Sequence, residues 1–215
     1  MGNATAKGGD QVYKYDLAKE IADRLLAAMG LVLLAPVGAG AALICGLSGE
    51  GIFYGQERIG KAGKPFTVWK FRTMRRDAPV LPRAQLSSPD QYYIPGGRFL
   101  RSAGIDELPQ LWCVVKGEMS LVGPRPLLAS ETAVHRLRNE WGVYALRPGI
   151  TGLAQLCGDP PPLTKAKLDV LYLQEHSLWL DVCVLMSTVG VVMRKKGRMG
   201  KIPSRGKLEK SHKTI

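Results

Sequence analysis

The feature that most constrains this 215-residue chain is a run of 25 residues, 25–49, that contains no charged side chain. A helix of that length reaches across the hydrocarbon core of a bilayer. The run is too long for the apolar region of a cleaved signal peptide, and no secretory pattern follows it. A buried helix of a soluble protein is the competing interpretation, which the length disfavours. The sequence therefore predicts a membrane-associated protein.

A proline near the middle of this run predicts that the helix is broken there, at Ala35-Pro36. Proline removes one helical hydrogen bond and clashes with the preceding turn. A kinked span and a re-entrant hairpin both fit this break. Cations flank the run on both sides, at Lys14, Lys19 and Arg24 before it and at Arg58, Lys61 and Lys64 after it. Because cytoplasmic flanks are rich in Lys and Arg, we expect both ends on the cytoplasmic side, which favours the re-entrant form.

The charge balance predicts an anionic partner. The chain carries 30 Lys and Arg against 18 Asp and Glu, a formal net charge of +12. Nucleic acid, an acidic membrane surface and a phosphorylated substrate all satisfy this charge. The four cysteines form no CxxC pair, and the three histidines have no metal-ligand spacing. A structural zinc site or a disulfide framework is therefore not expected, and a reducing compartment fits best.

The remainder of the chain predicts an α+β fold that is mostly α. Short apolar runs on both sides of a Gly-rich turn at residues 60–64 indicate a small β-hairpin. In its second strand Lys70 and Arg72 alternate with Phe71, so both cations share one face. Residues 127–141 and 165–193 have helical periodicity. The last of these helices, which contains Trp179, fits an amphipathic interfacial helix and a core helix equally well.

Composition divides the chain into three parts. Residues 1–12 are small and polar and are expected to be a disordered leader. Residues 13–193 form one domain, which includes the re-entrant membrane helix at about 21–49. Residues 194–215 carry nine Lys or Arg and one acid, so we expect a disordered basic tail that binds anionic lipid.

Two adjacent acids, Asp106 and Glu107, lie between two arginines, Arg101 upstream and Arg125 between two prolines downstream. A carboxylate among cations suits chemistry on phosphate, because it can hold a divalent metal or act as a nucleophile. The guanidinium fork neutralises phosphate oxygens. These residues also fit a helix start, with Asp106 as N-cap and Glu107 in the first turn, and taken alone they favour it. Both interpretations can hold together, because a helix N-terminus attracts phosphate.

The order of several segments carries a family resemblance. After the apolar run broken at Ala-Pro come KFRTM at 70–74, FLRSAGIDELPQLW at 99–112, KGEMSLVGPRP at 116–126 and RPGITGLAQ at 147–155. An acid-containing helix with Asp169 and Asp181 follows. This collinear series closely resembles the bacterial monotopic phosphoglycosyl transferases over residues 13–193. The chain looks like the small single-domain members, such as the bacillosaminyl-phosphate transferases.

The resemblance implies a reaction and a division of roles. A sugar-1-phosphate would pass from a UDP-sugar to polyprenol (undecaprenyl) phosphate, through a covalent phosphosugar-aspartate intermediate and with release of UMP. Asp106 matches the nucleophile and would also touch Mg²⁺. Glu107 matches the second catalytic acid, and metal ligation and acid–base assistance both stay open for it.

The remaining site residues also follow from the resemblance. Arg101 and Arg125 would hold diphosphate charge, and Lys70 and Arg72 would line the same site. Asp169 would orient a cation or the nucleotide.

The resemblance also implies a location and partners. The fold would be monotopic, with the re-entrant helix broken at Pro36, amphipathic interfacial helices and a small hairpin, at the cytoplasmic face of the bacterial inner membrane. The partners would be the UDP-sugar, undecaprenyl phosphate and anionic lipids of the inner leaflet. No nucleic acid is expected, and a homodimer is left open.

Two departures from the family pattern limit which properties of the family are expected of this chain. The family's break is commonly Ser-Pro, and the chain has Ala35-Pro36 instead, so it lacks a hydroxyl that could bond a freed carbonyl. After residue 155 the family often has an Asn-Gly-Arg-like stretch, where this chain has Cys157, Gly158 and Asp159 followed by three prolines. The identity of the sugar is therefore not predicted.

Two other functions compete with the transferase. A membrane-tethered basic protein that binds lipid or nucleic acid without catalysis explains the charge, but gives the acidic pair no task. A two-carboxylate hydrolase is disfavoured, because adjacent acids rarely face each other across a scissile bond.

Overall fold

The computed structural model describes residues 4–79, 89–158 and 160–193. Over these residues the fold is α+β and mostly helical, with eight α-helices and two small two-stranded sheets. The first helix begins at Ala4, inside the segment predicted as a leader, and residues 1–3 lie outside the described part. The predicted basic tail at 194–215 also lies outside it.

The apolar run forms two helices, α1 (Ala4–Leu33) and α2 (Ala35–Leu47), that meet at a sharp bend. The interruption lies at Leu34 rather than at Ala35-Pro36, because proline is tolerated in the first turn of a helix, where its missing N–H has no partner to lose. The segments Asp16–Leu33 and Ala35–Leu47 are bent by 64°. Among the described helices none alone is long and apolar enough to cross a membrane, whereas this bent pair is when taken together.

The helix pair is amphipathic in an unusual sense, because its small side chains are buried and its large ones are exposed. Ala27 packs on the core beside Cys113 and Val114, and Ala41 and Cys45 pack in a second cluster. The exposed large side chains are Leu25, Leu26, Met29, Val32, Leu33, Leu34, Val37, Leu43 and Leu47. So large an exposed apolar surface is rare on a soluble monomer.

The predicted hairpin is confirmed. Strands β1 (Phe53–Ile59) and β2 (Pro65–Phe71) pair antiparallel from Phe53↔Phe71 to Ile59↔Pro65, around a 3₁₀ turn at Lys61–Gly63. The register places Lys70 opposite Tyr54. Cross-strand neighbours share a face, so the cation and the aromatic ring lie side by side.

The acidic pair lies in a 3₁₀ turn, Ile105–Glu107, between α3 (Gly97–Ser102) and α4 (Gln110–Val115). The prediction that Asp106 caps a helix is therefore wrong. The N-cap of α4 is Pro109, and the turn before it makes i→i−3 bonds, with the N–H groups of Glu107 and Leu108 bonded to the carbonyls of Gly104 and Ile105. Pro109 has no N–H to continue an α-helical ladder from the acids.

The C-terminal half surrounds a short parallel pair that the sequence did not predict, β3 (Ser120–Val122) with β4 (Gly149–Thr151). The helices here are α5 (Thr132–Glu140), α6 (Leu153–Leu156), α7 (Pro162–Glu175) and α8 (Leu178–Met193). On α8 Val184 is buried, whereas large apolar side chains are exposed at Leu178, Trp179, Val182, Met186, Val189 and Val191.

A polar network ties α1 to this half. Lys19 donates to the buried Asp181 of α8 at 2.7 Å, and Tyr172 of α7 donates to the same carboxylate at 2.6 Å. Ser120 of β3 donates to Asp23 of α1. The N-terminal helix is therefore bonded into the body before its apolar part begins.

Two glycine substitutions should change stability in opposite directions. At Gly97 a Cβ would lie 2.3 Å from the Thr73 carbonyl oxygen, so Gly97→Ala should lower the free energy of unfolding by about 1–3 kcal/mol or more. At Gly40, within α2, a Cβ meets nothing within 4 Å, so Gly40→Ala should raise it by about 0.5–1 kcal/mol. Thermal unfolding in detergent measures both, and equal shifts of one sign would contradict the packing described here.

Candidate active site

A cavity of about 420 Å³ opens between the hairpin, the acidic turn and the C-terminal half. Four predicted cations, Lys70, Arg72, Arg101 and Arg125, line it together with Asp106. Among the described residues that line it, eight are cations and two are acids. The other charged residues are Arg58, Arg75, Arg76, Lys165 and Glu131. So strong a positive excess in a concave site attracts polyanions, phosphate groups above all.

Asp106 is 6% exposed, so its side chain is almost fully removed from water. Burial, followed by the charge of the neighbouring Glu107, raises its pKa to about 6, against the lowering influence of Lys70 and Arg101. No ion pair within the described part of the chain engages this carboxyl. A buried carboxylate that faces a cationic cavity without a direct ion-pair partner is available to react or to bind a ligand.

Glu107 has the opposite environment. Burial alone would raise its pKa, but the charge and hydrogen bond of Lys70, with Arg125 and Arg101, outweigh burial and lower the pKa. Lys70 donates directly to Glu107. The two adjacent acids therefore have pKa values displaced in opposite directions, a pattern typical of acids with different tasks.

The arginines beside the acids are held by aromatic rings. The guanidinium of Arg72 lies 5.3 Å from the ring centre of Tyr54, and that of Arg101 lies 5.9 Å from the ring centre of Tyr93. Arg101 also contacts the sulfur of Met74 at 2.9 Å. Ring contacts orient a guanidinium without neutralising it, so its charge remains available to an anion.

Asp169 is not brought into the cavity. It is 2% exposed, on α7, and accepts from Nε of Arg138 on α5 at 2.9 Å. Burial raises the pKa of Asp169, while Arg138 opposes the rise. The sequence predicted that Asp169 orients a cation or the nucleotide. In this position it pairs with a cation, Arg138, and a contact with the nucleotide stays a prediction.

The sequence interpretation missed Arg58, which lines the cavity from β1. Burial lowers its pKa to about 10, and repulsion from Arg125 contributes to the same shift. The signal was present, because Tyr54, Gln56 and Arg58 alternate along the strand and all three line the cavity. Lys165 on α7 and Glu131, which precedes α5, lie in segments without a distinctive motif and were also missed. Their side chains lie 3.4 Å apart.

A divalent cation fits this site only if the protein supplies part of its ligands and water and substrate phosphates supply the rest. Within the described residues no group of three or more His, Cys, Asp or Glu side chains could hold a metal. Magnesium typically takes one or two carboxylates and completes its octahedron with water and substrate phosphates. Asp106, with Glu107 beside it, matches that donor set.

Comparisons with known proteins agree on one family. Residues 14–195 match the family model described as bacterial sugar transferase. A UDP-glucose:undecaprenyl-phosphate glucose-1-phosphate transferase from Caulobacter vibrioides is 40% identical, over 81% of this chain and 69% of its own length.

Two further relatives differ in length. The exopolysaccharide production protein ExoY from Sinorhizobium fredii is 34% identical, over 84% of this chain and 88% of its own length. A UDP-galactose-lipid carrier transferase from Erwinia amylovora is 36% identical, over 67% of this chain but only 34% of its own length. The chain thus spans about a third of some curated relatives and most of others.

The environment of Asp106 predicts that replacing its carboxylate by a neutral group stabilises the protein. The folded state raises the pKa from 3.8 to about 6, so the ionised carboxylate destabilises the fold by roughly 3 kcal/mol at any pH above 6. Asp106→Asn should therefore raise the melting temperature at pH 8. The gain should shrink as the pH falls from about 6 towards 4, where the folded wild-type side chain takes up its proton.

Glu107→Gln is the matched control. Because the folded state lowers the pKa of Glu107, its ionised form stabilises the fold above the unfolded-state pKa. The glutamine variant should melt at a lower temperature than the wild type at pH 8. Destabilisation by Asp106→Asn at that pH would contradict the proposed burial cost.

Proposed function

This chain belongs to the bacterial sugar transferase family, and we propose that it transfers a sugar-1-phosphate from a UDP-sugar to polyprenol phosphate. The observation that carries the proposal concerns the buried Asp106, which has no ion-pair partner among the described residues. It lies in a cavity that eight cations of the described part of the chain line. Several relatives are named for this class of reaction. A basic protein that only binds lipid or nucleic acid would gain nothing from burying a carboxylate at such a cost.

In the first half-reaction a carboxylate oxygen of Asp106 attacks the β-phosphorus of the UDP-sugar. The new bond joins Asp106 to the sugar phosphate, and the bond from the β-phosphorus to the bridging oxygen breaks. UMP leaves with that oxygen and its electron pair. A carboxylate whose pKa is raised to about 6 is both ionised near neutral pH and a better nucleophile than an ordinary one.

In the second half-reaction a phosphate oxygen of the polyprenol phosphate attacks the same phosphorus. The bond to Asp106 breaks, which regenerates the carboxylate and releases a polyprenyl diphosphate sugar. The cavity therefore receives one polyanion after the other, and its cations serve both. Arg72 and Arg101, whose guanidinium groups are held by rings rather than by acids, are suited to phosphate oxygens in each step.

Glu107 has a supporting role in this proposal. Its carboxylate pairs with Lys70, so the lysine is fixed beside Asp106 and keeps the nucleophile ionised. Without Glu107, the flexible side chain of Lys70 would place its charge less reliably.

Magnesium belongs to the proposal as a substrate-bound cation. Asp106 would hold it, with the adjacent Glu107 as the other acid of the pair. When bound, it would neutralise diphosphate charge and make the β-phosphorus more electrophilic.

We place the protein at the cytoplasmic face of the bacterial inner membrane, with the bent pair of α1 and α2 inserted as a re-entrant element. The support is the 64° bend together with the exposed leucines and valines of the pair. The exposed side of α8, with Trp179 73% exposed, would lie in the headgroup region. The acceptor's phosphate lies at the headgroup level, whereas a UDP-sugar is dissolved in the cytosol, so a site at the interface reaches both.

Replacement of the nucleophile gives the direct test. Purified protein with magnesium, polyprenol phosphate and a panel of UDP-sugars should release UMP with at least one donor. Asp106→Asn should abolish that release, at least 10³-fold, and still bind membranes. Asp90→Asn, the same change at an exposed aspartate, should leave release unchanged. Undiminished release by Asp106→Asn would remove the nucleophile assignment.

The pH dependence of UMP release tests the roles of the neighbours. Since Lys70 lowers the pKa of Asp106, Lys70→Ala should move the acidic limb of kcat/KM to higher pH. Since Glu107 raises that pKa, Glu107→Gln should move the limb to lower pH. The readout is the position of the limb at fixed magnesium, not the rate. If the acidic limbs of the two variants moved in the same direction, neither residue would act through the pKa of Asp106.

A further inference from the structure

The segment that carries Arg125 is held by an unusual set of bonds. Residues 124–126 are Pro-Arg-Pro, and each of their three consecutive carbonyls accepts a hydrogen bond from a different element. Gly149 N–H of β4 donates to the Pro124 carbonyl at 2.9 Å, Nη1 of Arg138 to that of Arg125 at 2.8 Å, and Nη1 of Arg58 to that of Pro126 at 3.2 Å. Because proline has no N–H, carbonyls are the main groups by which a fold can hold such a segment.

The central bond comes from a buried ion pair. Arg138 and Asp169 are each 2% exposed, and Nε and Nη2 of the arginine lie 2.9 and 2.7 Å from one carboxylate oxygen. Neither residue lines the cavity. A buried ion pair is seldom a net gain in stability over apolar side chains of similar size. Its direct link to the backbone of a cavity residue suggests a different use.

Arg125 needs to be held, because another cation lies beside it. Arg58 lines the same cavity, and the repulsion between the two guanidinium groups contributes to the lowered pKa of Arg58. Without an anion between them, like charges tend to move apart. A fixed backbone at residue 125 opposes that motion and keeps the guanidinium directed into the cavity before any substrate arrives. Preorganisation of this kind removes an ordering cost from binding.

We propose that Arg138 and Asp169 are positioning residues that act on substrate through Arg125. Asp169 orients and neutralises Arg138, Arg138 holds the carbonyl of Arg125, and Arg125 contacts the diphosphate. The inference deepens the proposed function, since it concerns how the same cavity binds its phosphates. It identifies Arg138 as the cation that Asp169 orients, which the sequence prediction did not specify.

The first variant keeps the fold and removes the link. Arg138→Lys retains a positive charge for Asp169, but a single ammonium cannot also replace the guanidinium arm that reaches the Arg125 carbonyl. Arg147→Lys is the matched control, because Arg147 likewise pairs an acid, Glu20, and donates to a backbone carbonyl, that of Gly117, away from the cavity. Binding of inorganic pyrophosphate to the full chain in detergent is measured by calorimetry.

Arg138→Lys should weaken pyrophosphate about tenfold, Arg125→Ala by at least as much, and Arg147→Lys not at all. Arg138→Lys should add no further loss in the Arg125→Ala background, because the residue acts only through Arg125. Equal losses from Arg138→Lys and Arg147→Lys, or an additive loss in the double variant, would reduce the ion pair to a structural role. An unchanged affinity in Arg138→Lys or Arg125→Ala would overturn the proposal.

A second variant separates positioning from stability. Arg138→Met with Asp169→Leu replaces the buried pair by apolar side chains, which commonly leaves stability unchanged or higher. We expect a melting temperature no lower than that of the wild type, together with the same tenfold weaker pyrophosphate binding. A stable variant with wild-type affinity would overturn the proposal. None of these measurements requires turnover. A protein that is inactive on every UDP-sugar would reject the proposed function, whereas the binding data would still test the positioning role of Arg138 and Asp169.

Discussion

The desolvation of a carboxylate among fixed cations is the constraint on which the rest of this structure depends. Two acids that follow one another in the chain, one buried and one partly buried, cannot both be ionised unless positive charge lies close to each. The hairpin brings Lys70, the helix before the acidic turn brings Arg101, and the Pro-Arg-Pro segment brings Arg125. Three separate elements thus converge because the charge of one short 3₁₀ turn requires them.

The apolar helix pair is the second organising element, and its small side chains are buried whereas its large apolar ones are exposed. Alanine and cysteine face the body, while leucine, valine and methionine face outwards. Small residues let helices approach closely, which is how helices pack in lipid. The cavity and this apolar surface belong to one compact body, since α2 packs against the strand that carries Lys70 and against the helix that carries Arg101.

Most of the architecture could be predicted from the sequence, because it depends on local signals. Pro36 predicted the break to within two residues, the Gly-rich turn predicted the hairpin, and periodicity predicted the last two helices. The parallel pair of β3 and β4 could not be predicted, because three-residue strands show no alternation and their partners are distant in sequence. The cations of the cavity were mostly found, since they lie in recognisable segments. Asp169 shows the limit of prediction from sequence. A motif indicates which residue is present, whereas the contacts of its side chain depend on the helix packed against it.

The polar bonds between α1 and the C-terminal half have a consequence for anyone who wishes to handle this protein in water. Its apolar element is not a detachable anchor, because Lys19 and Asp23 are bonded to Asp181 and Ser120, and Ala27 lies within the central core. A truncated version that begins after the apolar run would lose one wall of that core and would remove the ion pair between Lys19 and the buried Asp181. Solubilisation has to come from replacing the exposed leucines and valines of this helix pair by polar residues, rather than from deletion.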